Sequence, residues 1–419
     1  MHRFKYKKGG LHCEGVGLER IAQKVGTPFY CYSLESVREH YRRLRDAFKG
    51  IDCQICYSVK SNSNLTLMRQ LVRMGAGLDI VSGGELYKGL KVGASPETIV
   101  YSSVGKTEAE IRAASSAGIL MFNVESEEEL EAINRVACHL GKVQPVALRV
   151  NPDVKASTHH YITTGTKENK FGISMDDAFR MFVESYRYPF LKFIGVHTHI
   201  GSQITEARPF VQTIRKISEF VTRLRRAGMF LEYFNIGGGL GIVYSKEKPQ
   251  TAHAFAAAVR PLLQKMKLKV ILEPGRFISG NSGILVTEVL YWKEARHKTF
   301  CIVDAGMNDL ARPSIYGAHH EILPVRQRGS SGPAATHVDV VGPICESGDF
   351  LAKDRKLVRM RSGEFLAVMS CGAYGFTMAS NYNSRPRIPE VVVRGQRFWV
   401  ARRRETPEDL IRGEEILDV

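Results

Sequence analysis

A chain of 419 residues, 44% of them hydrophobic, is long enough for more than one core, because single cores stop growing near roughly 250–300 residues. Its net charge of +16 is dispersed and not gathered into an aromatic-interleaved basic stripe, which sets nucleic-acid binding aside and favours acidic small molecules as ligands. No run approaches the ~18 uninterrupted apolar residues of a membrane span and the first residues lack the apolar stretch of a signal peptide, so the expected location is the cytoplasm, with no membrane partner.

Through the first two-thirds, short apolar runs rich in β-formers alternate with helical patterns. The runs are 52–59, 77–81, 98–102, 119–124, 144–150, 193–200, 231–236 and 269–274. They lack the strict polar alternation of strands with one wet face, which predicts a parallel sheet covered by helices. Between them, stretches such as 64–74, 126–140 and 208–228 carry apolar residues at three-and-four spacing, with Ser or Asn near their starts. Eight such units over about 230 residues predict a closed (β/α)8 TIM barrel. After Arg276 the pattern changes to strands and turns, at 283–295, 299–306, 336–345, 366–374 and 398–404, which predicts an antiparallel β domain, a barrel or sandwich. "RQRGSSGPAATHV" (326–338) reads as a loop within it. The expected domains are therefore 26–280 and 281–419, with residues 1–25 adding a strand to the second. Eight cysteines spread over this length point to reduced core thiols and not to a disulfide framework or a zinc site, and no metal is expected.

Reactive groups of such a barrel sit at the C-terminal ends of its strands. Four ends are chemically loaded: Lys60 after the first, His199 after the sixth, "GGGLG" (237–241) after the seventh and "EPGR" (273–276) after the eighth. Lys60 stands at the end of a buried strand with no acid close by in sequence. Three successive glycines free the backbone to turn its N–H groups onto an anion, in the loop position where such barrels hold phosphate. Glu273 and Arg276 bring an acid and a guanidinium to the same rim; a mutual ion pair is the plainer reading of those two. Together with Lys60, one explanation covers all of them: a lysine that forms a Schiff base, a phosphate cradle, and a carboxylate to keep a pyridine nitrogen protonated, the parts of a site for pyridoxal 5'-phosphate.

The ordered motifs "YSVKSNSN", "GLDIVSGGEL", "RVNPDV", "TGTKENKFGI", "VHTHIGSQ", "NIGGGLG", "EPGR", "GPICESGDFL", "CGAYGFTMASNYNSRPR" and "RRRETPEDLIRGE" resemble the fold-type III pyridoxal-phosphate decarboxylases over nearly the whole chain. The resemblance implies an alanine-racemase-like barrel followed by a β domain, and decarboxylation of meso-2,6-diaminopimelate to L-lysine and CO2, the last step of lysine biosynthesis. It implies that Lys60 carries the cofactor, His199 stacks on its ring and Glu273 contacts the ring nitrogen. Ser202, Gly237, Gly238, Gly239, Gly275 and Arg276 would serve the phosphate, Asp79 would support the Lys60 end, and Tyr374 would reach the cofactor. Arg276, Arg312 and Tyr316 would hold the distal carboxylate of the substrate, Glu346 its distal ammonium, and Tyr374 would also face the substrate. Cys345 would return the proton after CO2 departs. In this family the Cys-Glu segment comes from the partner subunit, which implies a homodimer with shared active sites.

Arg149 and "ENKFGI" (168–173) are expected to close the rim, while His159, His160 and His197 have no assigned role. Decarboxylases of the same fold acting on ornithine, arginine or carboxynorspermidine stay open. An Arg312, Tyr316 and Glu346 set suits a substrate with a complete amino-acid group at its far end better than one with a lone amine. An amino-acid racemase on the same barrel and a catalytically dead regulatory relative are the remaining alternatives.

Overall fold

The computed structural model describes residues 2–154, 170–327 and 334–419. His159, His160, the Glu168–Asn169 end of "ENKFGI" and the middle of the 326–338 loop lie outside the described residues. The chain divides into two units: Glu39–Ile242 with Glu247–Phe277, and Met1–Arg38 with Val243–Lys246 and Ile278–Val419.

In the first unit eight strands close into a barrel: Cys53–Ser58, Gly77–Ile80, Ile99–Tyr101, Met121–Val124, Gln144–Arg149, Leu191–His197, Tyr233–Asn235 and Lys269–Leu272. Every pairing is parallel, and the eighth strand returns to the first with Val270–Leu272 beside Cys53–Ile55. Seven of the eight expected runs hold one of these strands whole, and the sixth strand starts ahead of its run, at Leu191. The second, third and fourth are buried at every position, which is why no polar alternation shows in their sequence. One buried cluster draws Cys56, Val100, Met121, Ala147, Ile194 and Ile271 from six of the strands, so the barrel is filled by side chains and is not a pore. Cys53 and Cys56 stand three apart within one strand, where such residues face opposite sides, and both are free thiols.

Six helices begin where the sequence supplies a cap. The side chains of Asn64, Ser82, Thr107, Ser126, Ser174 and Thr251 each accept a first-turn backbone N–H, worth about 1 kcal/mol apiece. The helix after the His199 loop, Arg208–Arg226, starts without a side-chain cap.

The β unit is a mostly antiparallel nine-stranded sheet. Its path runs Phe350–Val358, Ala335–Val341, Lys298–Val303, Gly283–Ala295, Phe29–Ser33, Glu390–Arg394 and Arg397–Arg402, with Phe365–Val368 branching from the long central strand and Ile322–Pro324 pairing with that branch. Two pairings are parallel, Lys298–Val303 with Ala335–Val341 and Phe29–Ser33 with Glu390–Arg394. The strand that the N-terminal region contributes is Phe29–Ser33, beyond the expected 1–25 and on the barrel side of the boundary drawn at 26. Residues 4–17 instead form a separate three-stranded meander. The reason is burial. All five residues of "FYCYS" are buried, and Phe29 and Cys31 share a core with Leu18, Ile21, Ile284, Val286, Val391 and Val393. No helix among the described residues is long and apolar enough to cross a membrane.

Candidate active site

Lys60 lies on a single turn, Val59–Ser61, directly after the first barrel strand. Its Nζ is 3.1 Å from Asp79 Oδ2 in the second strand. The acid absent from the neighbouring sequence is thus supplied by the adjacent strand. Asp79 is fully buried and also accepts the Ser58 hydroxyl. Burial and the charge of Glu273 push its carboxyl above the usual range, against the pull of Lys60 and Ser58.

Glu273 directly follows the eighth strand and is buried. Its Oε1 accepts the side-chain amides of Asn235 at 2.6 Å and Asn123 at 3.2 Å, and its Oε2 lies 3.2 Å from His197 Nε2. Burial opposes ionisation, but His197 and Lys60 outweigh it and hold the carboxyl at about 2. A folded-state value below the unfolded one means that ionised Glu273 stabilises the fold at neutral pH, and that the contribution is lost as pH falls from about 4.5 toward 2. Glu273→Gln is therefore expected to flatten the acid limb of unfolding stability in that window, measured by denaturant titration at stepped pH; an unchanged limb would contradict it.

His199 follows the sixth strand and accepts the Gly238 N–H on Nδ1 at 3.2 Å, which leaves its proton on Nε2. Burial and the cations Arg149 and Lys60 push its pKa far down, so the ring is neutral. Gly237 and Gly239 have φ of 73° and 110°, in the left-handed region. Space excludes a side chain at Gly238 as well, since a Cβ there would stand 2.2 Å from the Glu273 carbonyl oxygen. Gly238→Ala is expected to cost about 1–3 kcal/mol, read as a lower Tm, and to weaken pyridoxal-phosphate binding; wild-type values of both would show that the close approach is not needed. At Gly275 a Cβ would meet Ser61 and Ser58 at 2.9 and 3.0 Å, which seats the eighth-strand turn against the Lys60 turn. Arg276 donates from Nε and Nη2 to Ser202 Oγ at 3.2 and 3.1 Å. The plainer reading of Glu273 and Arg276, a mutual ion pair, is not the arrangement found: the acid faces Asn123, Asn235 and His197, the guanidinium faces Ser202. At the rim, Arg149 pairs with Glu125 at 2.7 Å and lies over the Phe171 ring, while Glu125 also accepts the Gly172 N–H.

These residues fit pyridoxal phosphate. An amine, an ionised acid with a neutral imidazole between them in sequence, and a glycine cradle line one barrel rim. Asp79 Oδ1, Asn123 Oδ1 and His197 Nδ1 are buried without a hydrogen-bond partner, polar capacity that a buried apolar core would not retain. The Glu273 cage of Asn123, Asn235 and His197 goes unread in the sequence. Its signal there is a buried polar residue at the end of a mostly apolar strand: Asn123 is next to last in "MFNV", and Asn235 and His197 are last in "YFN" and "LKFIGVH".

In the β unit, Arg312 opens the helix Arg312–Tyr316 and Tyr316 closes it. Arg312 is buried and donates from Nη1 to His320 Nε2 at 2.8 Å. Ser314 of the same helix donates to the Gly348 carbonyl at 2.7 Å, which ties it to the exposed turn of Cys345 and Glu346. Asn383 accepts the Cys345 N–H at 2.7 Å, and Tyr382 donates to Glu346 at 3.2 Å. Asp349 accepts the N–H groups of Ile344 and Met307, both at 2.7 Å, and so shapes the turn. Tyr374 is half-buried, with φ of 55°.

A family model described as pyridoxal-dependent decarboxylase, pyridoxal binding domain, matches residues 34–280, which places the chain among the pyridoxal-phosphate-dependent decarboxylases. A diaminopimelate decarboxylase of Pseudomonas aeruginosa is 48% identical over 417 residues, covering 100% of both chains. The crystal structure of diaminopimelate decarboxylase from Helicobacter pylori complexed with L-lysine is 41% identical with a TM-score of 0.91, over 94% of this chain and 98% of that one. That from M. jannaschii, in co-complex with L-lysine, is 36% identical with a TM-score of 0.93, over 99% and 98%. The chain belongs to the diaminopimelate decarboxylase family.

Proposed function

We propose that this chain converts meso-2,6-diaminopimelate to L-lysine and CO2 with pyridoxal phosphate held in the barrel, acting in the cytoplasm as a homodimer. The observation that carries the cofactor reading is Lys60 beside Asp79 on the same barrel end as a buried Glu273 kept ionised. When bound, pyridoxal phosphate supplies an electron sink for the bonding pair released as CO2 leaves. Lys60 is the amine that bears the cofactor aldehyde, and Asp79, 3.1 Å away, is placed to take and return the proton at Nζ. Ionised Glu273 would hold a proton on the pyridine nitrogen. Neutral His199 would face the ring without adding a positive charge against it. The turns at Gly237–Gly239 and Gly275, with Ser202 and Arg276, bind phosphate, and Tyr374 completes the cofactor and substrate contacts.

At the substrate's far end, Arg312 and Tyr316 with Arg276 take the carboxylate and Glu346 takes the ammonium. A guanidinium fork matches a carboxylate in two hydrogen bonds, so a complete amino-acid group is read by paired opposite charges. The Cys345 thiol delivers the proton to the carbon that has lost CO2. Cys345 and Glu346 are exposed on their turn, which supports their serving the site of a second copy. Subunits carrying Lys60→Ala, mixed with subunits carrying Cys345→Ala, are then expected to regain about a quarter of wild-type turnover, the share that random pairing into C2 dimers allows; no regain would place both residues in a same-chain site.

The test of the function is CO2 release from meso-diaminopimelate, L-ornithine and L-arginine supplied separately to the holoenzyme, with products identified by mass. Turnover of diaminopimelate with L-lysine as product is expected. Preference for ornithine or arginine would overturn the substrate assignment, and racemisation without CO2 would overturn the reaction.

A further inference from the structure

In the β unit, Arg312 is held from two directions by residues to which no role has been given above. Its Nη1 donates to His320 Nε2 at 2.8 Å, and its Cζ lies 4.7 Å from the centroid of the Tyr244 ring. The His320 and Tyr244 rings meet edge to face, with centroids 5.4 Å apart and planes at 82°. His320 is fully buried, and Tyr244 and Arg312 are nearly so. On its other side, His320 Nδ1 is 2.8 Å from the Met369 carbonyl oxygen.

These contacts fix the tautomer. A carbonyl oxygen only accepts, so Nδ1 carries the hydrogen; a guanidinium only donates, so Nε2 offers its lone pair. The neighbouring Cys371 Sγ, 3.5 Å from Nδ1, does not change this, since burial pushes that thiol up to about 12 and it stays protonated. A neutral imidazole orients a guanidinium without cancelling its charge, as a carboxylate in the same place would. The Tyr244 face sets the tilt of the guanidinium plane, and His320 sets its rotation within that plane. Binding a carboxylate through two parallel N–H groups requires both.

The geometry points to His320 as a positioning residue for substrate recognition: it holds Arg312, through Nη1, in the orientation in which the guanidinium meets a carboxylate at the far end of the substrate. This deepens the reading of Arg312 given under Proposed function and rests on it. The carboxylate is the feature that separates a substrate with two amino-acid ends from one with a terminal amine, so His320 acts on specificity through Arg312 and not on the reacting carbon.

Two substitutions separate orientation from packing. A glutamine side chain reaches the Nε2 position and restores an acceptor for Arg312; an asparagine reaches only the Nδ1 position and keeps the bond to Met369. With the holoenzyme and meso-diaminopimelate, His320→Gln is expected to stay within about threefold of the wild-type KM. His320→Asn is expected to raise KM about tenfold or more, the loss of one charge-assisted hydrogen bond, with kcat within about twofold and the absorption of bound pyridoxal phosphate unchanged. In an Arg312→Met background, which itself should raise KM, His320→Asn should add nothing. His320→Leu should match Asn if it folds, and the Gln–Asn pair decides if it does not. Equal KM for Gln and Asn, or a fall in kcat without a rise in KM, overturns the role of His320. A wild-type KM in Arg312→Met alone overturns the reading of Arg312 on which it rests.

Discussion

Lys60→Ala is expected to lower kcat by about 10⁴-fold or more, the scale seen when a covalent catalytic group is removed, and to abolish the visible absorption that wild-type protein gains with pyridoxal phosphate. The side chain is 35% exposed, so its loss opens no core cavity, but it strips buried Asp79 of its cation, and a lower Tm is expected alongside the lost turnover. Lys60→Arg makes the sharper control. It keeps a cation beside Asp79 but offers no amine able to condense with an aldehyde, so it too should be colourless and inactive. Activity retained in Lys60→Arg would mean that the charge matters and the amine does not.

Cys345→Ala is expected to separate binding from turnover. The thiol is exposed, and the Cys345 contact to Asn383 is made by the backbone N–H, so truncation should leave fold and cofactor spectrum intact, within about 0.5 kcal/mol of wild-type stability. If the thiol donates the proton to the carbon left by CO2, its removal should still lower kcat by about 10²–10⁴-fold. The effect should fall on kcat more than on KM, because the thiol acts after the substrate is bound. Unchanged turnover would reduce Cys345 to a surface residue, and the proton would have to come from elsewhere.

Much of this was legible in the sequence for a local reason. A barrel strand buried on both sides writes itself as an uninterrupted apolar run, and the residue just past it points to the reactive rim, so Lys60, His199, the glycines and Glu273 could be read in chain order without knowing which strands touch. What could not be read is what lies opposite what. His197, Asn123 and Asn235 come from the sixth, fourth and seventh strands and converge on a carboxylate from the eighth only because the barrel closes. The partner of Lys60 is an acid 19 residues away on the next strand.

The same limit applied in the β unit. Phe29–Ser33 has the composition of a barrel strand and stands just ahead of the barrel, but its ladder partners are Gly283–Ala295 and Glu390–Arg394, a choice made by the shared core and not by any local pattern. His320, inside "GAHHEIL", is marked as functional by nothing in its neighbourhood, and its significance comes from an arginine eight residues earlier and a tyrosine from another stretch of chain. The charge of +16 has no part in the site as described.

The central claim is that the amine at the end of the first barrel strand bears the cofactor. Borohydride reduction of the protein loaded with pyridoxal phosphate, followed by proteolysis and mass mapping, tests it most directly. The reduced pyridoxyl phosphate mass should appear on the peptide containing Lys60 at close to one per chain, and be absent from that peptide when borohydride is omitted. Labelling of any other lysine at that stoichiometry, or no labelling at all, would contradict the account.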